Sequence, residues 1–304
     1  MAQESSGNSR LMGYLYAIGS AVCLGLIPLF FIPLQKGGIS SDTLLAYRFG
    51  FGALLMLPFA RLKRASLRIS LADLGIVALI GIDFMLSMYF FFYSLIYLPS
   101  SVAVPLMYLY PVMVMFIMLF YGEKFSWRYV LVLALVVAGV VLLSQGPADE
   151  IGPAAEKGGF SLLGICLALG AGLCIALLNV SLKESRVSGI NAIALTFYLL
   201  LFSCLYTVAQ SFFTAPLQWI GDWRQLGIIV VFAFVTAVLC NIFLIWAIQL
   251  VGPTLTSILG VTQPLTSVFC GLLVFGDPMN LSMSAGICIV VAAVFLAILK
   301  PRTA

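Results

Sequence analysis

A ladder of small residues occurs twice in this chain and constrains its fold more than any single motif does. Small residues occupy every fourth position of two apolar segments that lie 151 positions apart, at Gly13, Ala17, Ala21 and Gly25 and again at Gly164, Ala168, Gly172 and Ala176. A spacing of four keeps each set on one helix face, and in lipid such a face lets another helix backbone approach closely. The recurrence indicates one structural unit written twice.

Composition places both units in a membrane. Apolar residues make up 63% of the 304 residues and charged residues only 9%, which is too little polar surface for a water-soluble domain of this length. Segments of about 20 apolar residues match the hydrocarbon thickness of a bilayer. Ten such segments are predicted as membrane-spanning helices, at residues 11–33, 42–60, 72–97, 99–121, 127–144, 160–181, 191–213, 225–249, 252–275 and 282–299. The predicted fold class is therefore an all-α integral membrane protein.

The distribution of lysine and arginine between the spans predicts their orientation. Eleven basic residues fall on the side that holds both termini, here called the inner side, and three fall on the outer side. Because lysine and arginine are retained in the cytoplasm, both termini are predicted to be cytoplasmic, in a bacterial inner (plasma) membrane. The segment 145–159, rich in glycine, proline, alanine and acidic residues, is predicted to be an extracellular linker.

The two halves are predicted to be inverted repeats. Residues 1–151 hold the first five spans, with the start of the linker, and residues 152–304 hold the second five. The match between the halves pairs Pro111 of span four with Pro264 of span nine. Because five is odd, the second unit must enter the membrane from the opposite face. Inverted repeats with helices broken at equivalent places are typical of secondary transporters, whose sites lie near the midplane.

Three features together resemble a known family. They are the doubled organisation, the Tyr47-Arg48-Phe49 sequence in span two, and a proline-containing span four that runs to Gly122-Glu123. Over essentially its whole length the chain resembles the EamA-type members of the drug/metabolite transporter superfamily. The resemblance implies ten helices in two five-helix repeats, and it is strongest to bacterial exporters of aromatic and other amino acids and small metabolites. The second copy departs from the pattern, because it ends Gly276-Asp277-Pro278, so the two ends need not be equivalent in function.

Asp83 is an acidic residue near the centre of span three, where a charge costs roughly 2.5–3.5 kcal/mol on insertion scales. Ser87, Phe90, Ser94 and Tyr97 follow it along one helix face. Such a stripe should face a cavity or a partner helix rather than lipid. We predict that it binds a substrate amine or cation, or that Asp83 couples transport to protonation. The alternative is a structural carboxylate bonded to a neighbouring helix.

Two further residues, one in each half of the chain, are predicted to bind substrate. Trp246 in span eight is placed to stack on an aromatic or cationic substrate, although an interfacial tryptophan is the alternative. Arg48 lies about two helical turns into span two, where a guanidinium is suited to bind a carboxylate with two hydrogen bonds. Its alternatives are snorkelling to the outer interface or pairing with Asp83 or Asp42 as a structural lock.

Prolines predict the break points of the fold. Pro111 and Pro264 each remove a backbone hydrogen bond and should kink spans four and nine near mid-depth. The residue before each proline, Tyr110 or Gln263, is polar and is predicted to bind substrate in a central cavity. The alternative for Gln263 is that it caps its own kink. The hinges of alternating access are predicted at Pro105, Pro111, Gly260 and Pro264.

These features predict a secondary transporter with a central cavity between the repeats. The resemblance implies that it exports small organic metabolites, above all aromatic and other neutral amino acids. An efflux carrier of drugs or cationic compounds is the alternative. A channel is the weaker rival, because nothing resembles a carbonyl filter or a charged ring. A phosphate site would need several basic residues within the spans, and only Arg48 is available.

No catalytic or cofactor chemistry is predicted. The chain has no histidine, no P-loop, and no close pair of acids within a span. All seven cysteines fall within apolar segments without metal-ligand spacing, so no metal or cofactor is expected. The expected partners are the small-molecule substrate and membrane lipid, not nucleic acid. Ten helices that enclose their own site would allow a functional monomer.

Overall fold

A computed structural model of the chain describes residues 2–98, 100–124, 126–144, 162–213, 216–276 and 279–298. The helices of spans one to five are Ala2–Gly25 with Ile27–Lys36, Ser41–Leu62, Leu71–Tyr97, Ser100–Met107 with Tyr110–Phe120, and Trp127–Leu143. Those of spans six to ten are Leu162–Glu184, Ala192–Ser211, Trp223–Ala233 with Phe234–Leu239 and Cys240–Val251, Pro253–Leu259 with Thr262–Cys270 and Gly271–Phe275, and Leu281–Ile298. A short 3₁₀ helix, Arg186–Gly189, joins spans six and seven.

The predicted all-α membrane architecture is confirmed. Among the described residues, nine helices are long and apolar enough to cross a bilayer, and Trp127–Leu143 is a shorter apolar tenth. The predicted span limits differ from the observed ones by a few residues, except that the first helix begins at Ala2, nine residues before the predicted start of span one. The predicted linker at 145–159, the boundary between residues 151 and 152, and the Asp277-Pro278 departure lie outside the described residues.

Short-range signals set several span ends. Ser40 and Ser70 cap spans two and three by accepting the backbone N–H groups of Thr43 and Asp73, which would otherwise lack partners at the first turn. Spans eight and nine join without a loop. Gly252 ends span eight at φ +85°, a conformation that favours glycine, and the following proline begins span nine.

The two halves exchange their first helices. Span one packs against spans eight and nine, and span six packs against spans three and four. Equivalent spans also meet each other, since span two packs on span seven, span four on span nine and span five on span ten. The same contacts therefore recur when the halves are interchanged, as two inverted five-helix repeats require.

The small-residue ladders make these exchanged contacts possible, as predicted. A Cβ atom at Gly13 would overlap the Val251 side chain of span eight, and one at Gly172 would lie 2.8 Å from the Met107 carbonyl oxygen of span four. Ala17, Ala168 and Ala176 are almost fully buried. The predicted close approach of a second helix is confirmed on both ladders.

Spans four and nine are both broken, 152 residues apart. The breaks fall at residues 108–109 and 260–261, a few residues before Pro111 and Pro264 respectively. A proline cannot bond to the carbonyl four residues earlier and its ring clashes with it, so the helix is interrupted between the two positions. The predicted kinks are confirmed, and each lies on the N-terminal side of its proline. Span one also breaks, at Leu26.

Candidate functional site

The broken spans four and nine cross at the centre of the protein, and Tyr110 joins them. The buried Tyr110 hydroxyl donates to the Ser257 carbonyl oxygen at 3.2 Å. Gly260 leaves the room for that hydroxyl, because a Cβ atom there would overlap it. The Tyr108 ring lies 6.1 Å from the Tyr110 ring. Two of the predicted site and hinge residues, Tyr110 and Gly260, are therefore brought into contact across the repeat boundary.

Gln263 follows the break in span nine and keeps its side-chain amide available. Its backbone N–H donates to the Gly260 carbonyl at 3.0 Å, which satisfies the carbonyl that Pro264 cannot use. The kink is thus capped by the backbone of Gln263 and not by its side chain. Within the described part of the chain, the half-buried side-chain amide forms no hydrogen bond.

The Asp83 stripe packs against span six. The Asp83 carboxyl group lies beside the Cys174 thiol of span six, and the Ser87 hydroxyl donates to the Ala171 carbonyl at 2.9 Å. The Phe90 ring lies on Gly170, where an added Cβ would stand 3.1 Å away. These are the contacts of a helix–helix interface, which is the alternative interpretation of the stripe.

The outer end of the stripe also lies apart from the central crossing. The Ser94 hydroxyl donates to the Phe91 carbonyl of its own helix at 2.6 Å. Tyr97 is exposed, and its Cβ atom packs over Gly164 of span six. The sequence pattern correctly predicted that this face packs against a partner helix, where Ser87 and Ser94 are buried but Tyr97 is not. It could not identify the neighbour of that face, because the neighbour comes from the other repeat.

Arg48 is buried and does not snorkel. Only 5% of the residue is exposed, and one terminal nitrogen donates to the Thr236 carbonyl oxygen at 2.7 Å. The guanidinium carbon lies 5.3 Å from the centres of both the Phe49 and Phe232 rings, within cation–π distance. No carboxylate of the described residues lies within ion-pair distance of Arg48, so the predicted lock with Asp83 or Asp42 is not formed.

A π-helical segment in span eight presents the carbonyl that holds Arg48. Within Phe234–Leu239 the helix is wound more loosely, and the Cys240 N–H bonds to the Val235 carbonyl, five residues earlier, and to Ala237. The Thr236 carbonyl is therefore passed over by its usual donor and accepts from Arg48 instead. Such π segments are frequent at functional sites. A backbone carbonyl carries no side-chain signal, so sequence reasoning missed this partner.

Trp246 lies at the inner end of the molecule. Its ring is 5.0 Å from the Tyr16 ring, a partner that the sequence did not indicate. It also borders a polar cavity of about 430 Å³ with Lys183, Gln249 and residues 188–192. The Gln249 amide is engaged there, because it donates to the Ser188 and Ile190 carbonyls at 3.2 and 3.3 Å.

The remaining predicted hinge residues flank the crossing. Pro105 lies inside Ser100–Met107, ahead of the break in span four, and Pro111 and Pro264 follow the two breaks. On the inner side, the Thr254 hydroxyl of span nine donates to the Glu123 carboxylate beyond span four. Among the described residues no group of three or more histidine, cysteine or acidic side chains is placed to hold a metal ion.

A helical membrane protein of two inverted five-span repeats, broken at equivalent places in spans four and nine, has the architecture of a membrane transporter. A model of the family described as the EamA-like transporter family matches residues 11–145 and 162–299. The chain belongs to this family, which confirms the resemblance at the level of the family.

Comparison with solved structures supports the same fold. One crystal structure, of a protein described without a function, has a TM-score of 0.77 to this chain at 17% identity. The alignment covers 94% of this chain and 96% of the other. At this identity the likeness shows the fold alone. No curated protein matches the chain significantly.

Proposed function

We propose that the protein is a secondary transporter that exports small organic metabolites, above all aromatic and other neutral amino acids. The observation that carries the proposal is the central crossing of spans four and nine. There Tyr110 contacts Ser257 across Gly260, and the side-chain amide of Gln263 has no hydrogen-bond partner among the described residues. A polar, broken-helix centre between inverted repeats is where secondary transporters bind substrate.

Alternating access follows from the same geometry. Each break gives its span two rigid segments joined by two residues, with Pro105 and Pro111 flanking one break and Gly260 and Pro264 at the other. The segments can therefore rotate about the crossing without unwinding a helix. In this structure the Thr254–Glu123 hydrogen bond holds spans four and nine together on the inner side. Substrate release to that side requires this bond to open.

The placement of charge favours zwitterions over cations. Asp83 is the one acidic residue deep within a described span, and its carboxyl group lies beside Cys174 at the interface with span six. A carrier of amphipathic cations would need a carboxylate in its pathway, because an intramembrane cation requires a counter-charge. Neutral amino acids require no net counter-charge.

The orientation and the division into halves complete the proposal. Residues 1–151 and 152–304 form the two moving units, and both termini lie in the cytoplasm of a bacterium, with the chain in its inner membrane. The excess of basic residues on the inner side supports this orientation. The protein works as a monomer, because each half supplies one of the two broken spans.

Counterflow in proteoliposomes tests the substrate class. The purified protein is reconstituted with unlabelled phenylalanine, threonine or methyl viologen inside, and entry of the same labelled compound is followed. We expect saturable exchange of the amino acids and none of methyl viologen. Exchange of methyl viologen alone would favour the cation carrier, and a large unitary conductance in planar bilayers would favour a channel. Either result would overturn the proposal.

A further inference from the structure

We propose that Arg48 binds the carboxylate of the transported substrate. The inference rests on the proposed function and deepens it, because it assigns the polar group by which substrates are recognised. It makes an anionic group a requirement of every good substrate. The residues that carry the inference are Arg48 itself, Thr236, and the aromatic rings of Phe49 and Phe232.

The first step concerns charge balance. Arg48 is about as buried as the apolar core, and no carboxylate among the described residues pairs with it. Its protein partners are one backbone carbonyl and two aromatic rings, all of them uncharged. An uncompensated buried charge is strongly destabilising. A counter-ion from outside the chain would remove that penalty.

The second step concerns the donors that remain. Among the described residues, one Arg48 nitrogen donates a hydrogen bond, to the Thr236 carbonyl, and the buried Nε–H has no acceptor. The guanidinium carries five N–H donors, and a buried donor without an acceptor costs free energy. Here the Thr236 carbonyl fixes one arm of the planar group and the two rings restrict its tilt. The Nε edge, which together with a terminal nitrogen can bind a carboxylate with two hydrogen bonds, is left to a ligand.

The third step concerns depth. Thr236 lies 13 residues from the outer end of the helices of span eight, or about 20 Å at 1.5 Å per residue. The break in span nine lies 15 residues from the outer end of that span, at a comparable depth. The guanidinium, which reaches the Thr236 carbonyl from a backbone position seven residues into span two, is therefore held well inside the membrane, deeper than its own Cα atom.

The fourth step concerns asymmetry between the repeats. Span seven, the counterpart of span two, contains no lysine or arginine. The counterpart of the π segment, residues 82–87 of span three, remains a regular α-helix. The contact between Arg48 and the π segment thus has no equivalent at the symmetry-related place, between spans seven and three. A neutral amino acid has a single carboxylate, which needs a single guanidinium as its partner.

Competition by substrate analogues tests the inference. Counterflow of labelled phenylalanine is measured for the wild type, Arg48→Lys and Arg48→Met, with unlabelled phenylalanine or phenethylamine, which lacks the carboxylate, as competitor. We expect the wild type to prefer phenylalanine by at least about tenfold, or about 1.4 kcal/mol. Arg48→Met should lose that preference, and Arg48→Lys, which keeps the charge without the planar fork, should retain only part of it. Arg224→Met, an exposed arginine at the outer end of span eight, should behave as the wild type.

Two results would overturn the inference. One is equal competition by phenylalanine and phenethylamine in the wild type, and the other is phenylalanine affinity within about twofold of the wild type in Arg48→Met. A purely structural arginine would lower the amount of folded protein without changing the preference for the carboxylate. Should Arg48→Met fail to fold, the analogue preference of the wild type and of Arg48→Lys decides.

Binding in detergent separates this inference from the proposed function. If the wild type exchanges none of the amino acids, the proposed function fails. The thermal stability of the purified protein is then compared with phenylalanine and with phenethylamine. Stabilisation by phenylalanine alone, lost in Arg48→Lys, would support a carboxylate site, and equal or absent stabilisation would exclude one.

Discussion

At the residue scale, a buried polar side chain that already has a protein partner stabilises the fold, whereas one without a partner is a candidate for binding substrate. Gln249 and Gln263 are both half-buried glutamines within spans. The Gln249 amide binds two loop carbonyls, whereas the Gln263 amide binds no described residue. Polar groups placed in a membrane are normally satisfied. The unsatisfied amide at the central crossing is therefore the better candidate for contact with substrate.

Gln263→Ala should weaken exchange without unfolding the protein. A hydrogen bond to a charged substrate group contributes about 1.5 kcal/mol or more, so phenylalanine counterflow at low concentration should fall roughly tenfold. Thermal stability should change little, since no contact within the described residues is lost. Gln225→Ala, near the outer end of span eight, is the matched control. Wild-type exchange in Gln263→Ala would remove the residue from the site.

Asp83→Asn should leave exchange within about twofold of the wild type. The carboxyl group lies beside Cys174 at the interface of spans three and six, and even a full hydrogen bond between membrane helices contributes only about 0.6 kcal/mol on average. We expect a small loss of thermal stability in detergent and an unchanged apparent KM. A tenfold rise of that KM would return Asp83 to the substrate site.

At the element scale, the sequence predicts what is determined locally. The helix breaks follow from the prolines themselves, and the ladders follow from the spacing of small residues, so both could be read in advance. The π segment Phe234–Leu239 could not, because its register depends on the helices packed around it. For the same reason the polar stripe of span three was predicted, but its partner was not.

Two glycines provide a matched test of the ladder. Gly172→Ala should destabilise the protein by about 1–3 kcal/mol, the usual cost of overpacking, because the new Cβ would meet the Met107 carbonyl oxygen. Gly75→Ala has open space around its Cβ and should be neutral or stabilising, since alanine is the better helix former. Thermal unfolding in one detergent compares the two. Equal effects would contradict the close approach of spans four and six.

At the scale of the whole molecule, the exchange of first helices joins the two repeats. Neither half can bury its ladder alone, because each ladder packs on the other half. The doubling and the odd number of spans per unit made the inversion predictable from sequence. The exchange itself was not predictable, because a ladder of small residues shows that another helix packs closely but not which helix it is.

Reporter fusions test the orientation. A green fluorescent protein fused after residue 304 should fluoresce in a bacterial host, and alkaline phosphatase at that point should be inactive, because the distribution of basic residues predicts that both termini are cytoplasmic. Alkaline phosphatase fused after residue 150 should be active. The reverse pattern would invert the proposed topology.

The most direct test of the central account is trans-stimulation of phenylalanine entry by the wild-type protein. Entry of labelled phenylalanine is compared between proteoliposomes preloaded with unlabelled phenylalanine and empty ones. In a carrier that alternates about the crossing of spans four and nine, the binding site returns to the outside of the vesicle faster when it carries substrate than when it is empty. Preloading should therefore accelerate entry, and entry should saturate. Entry that neither saturates nor responds to preloading would contradict alternating access.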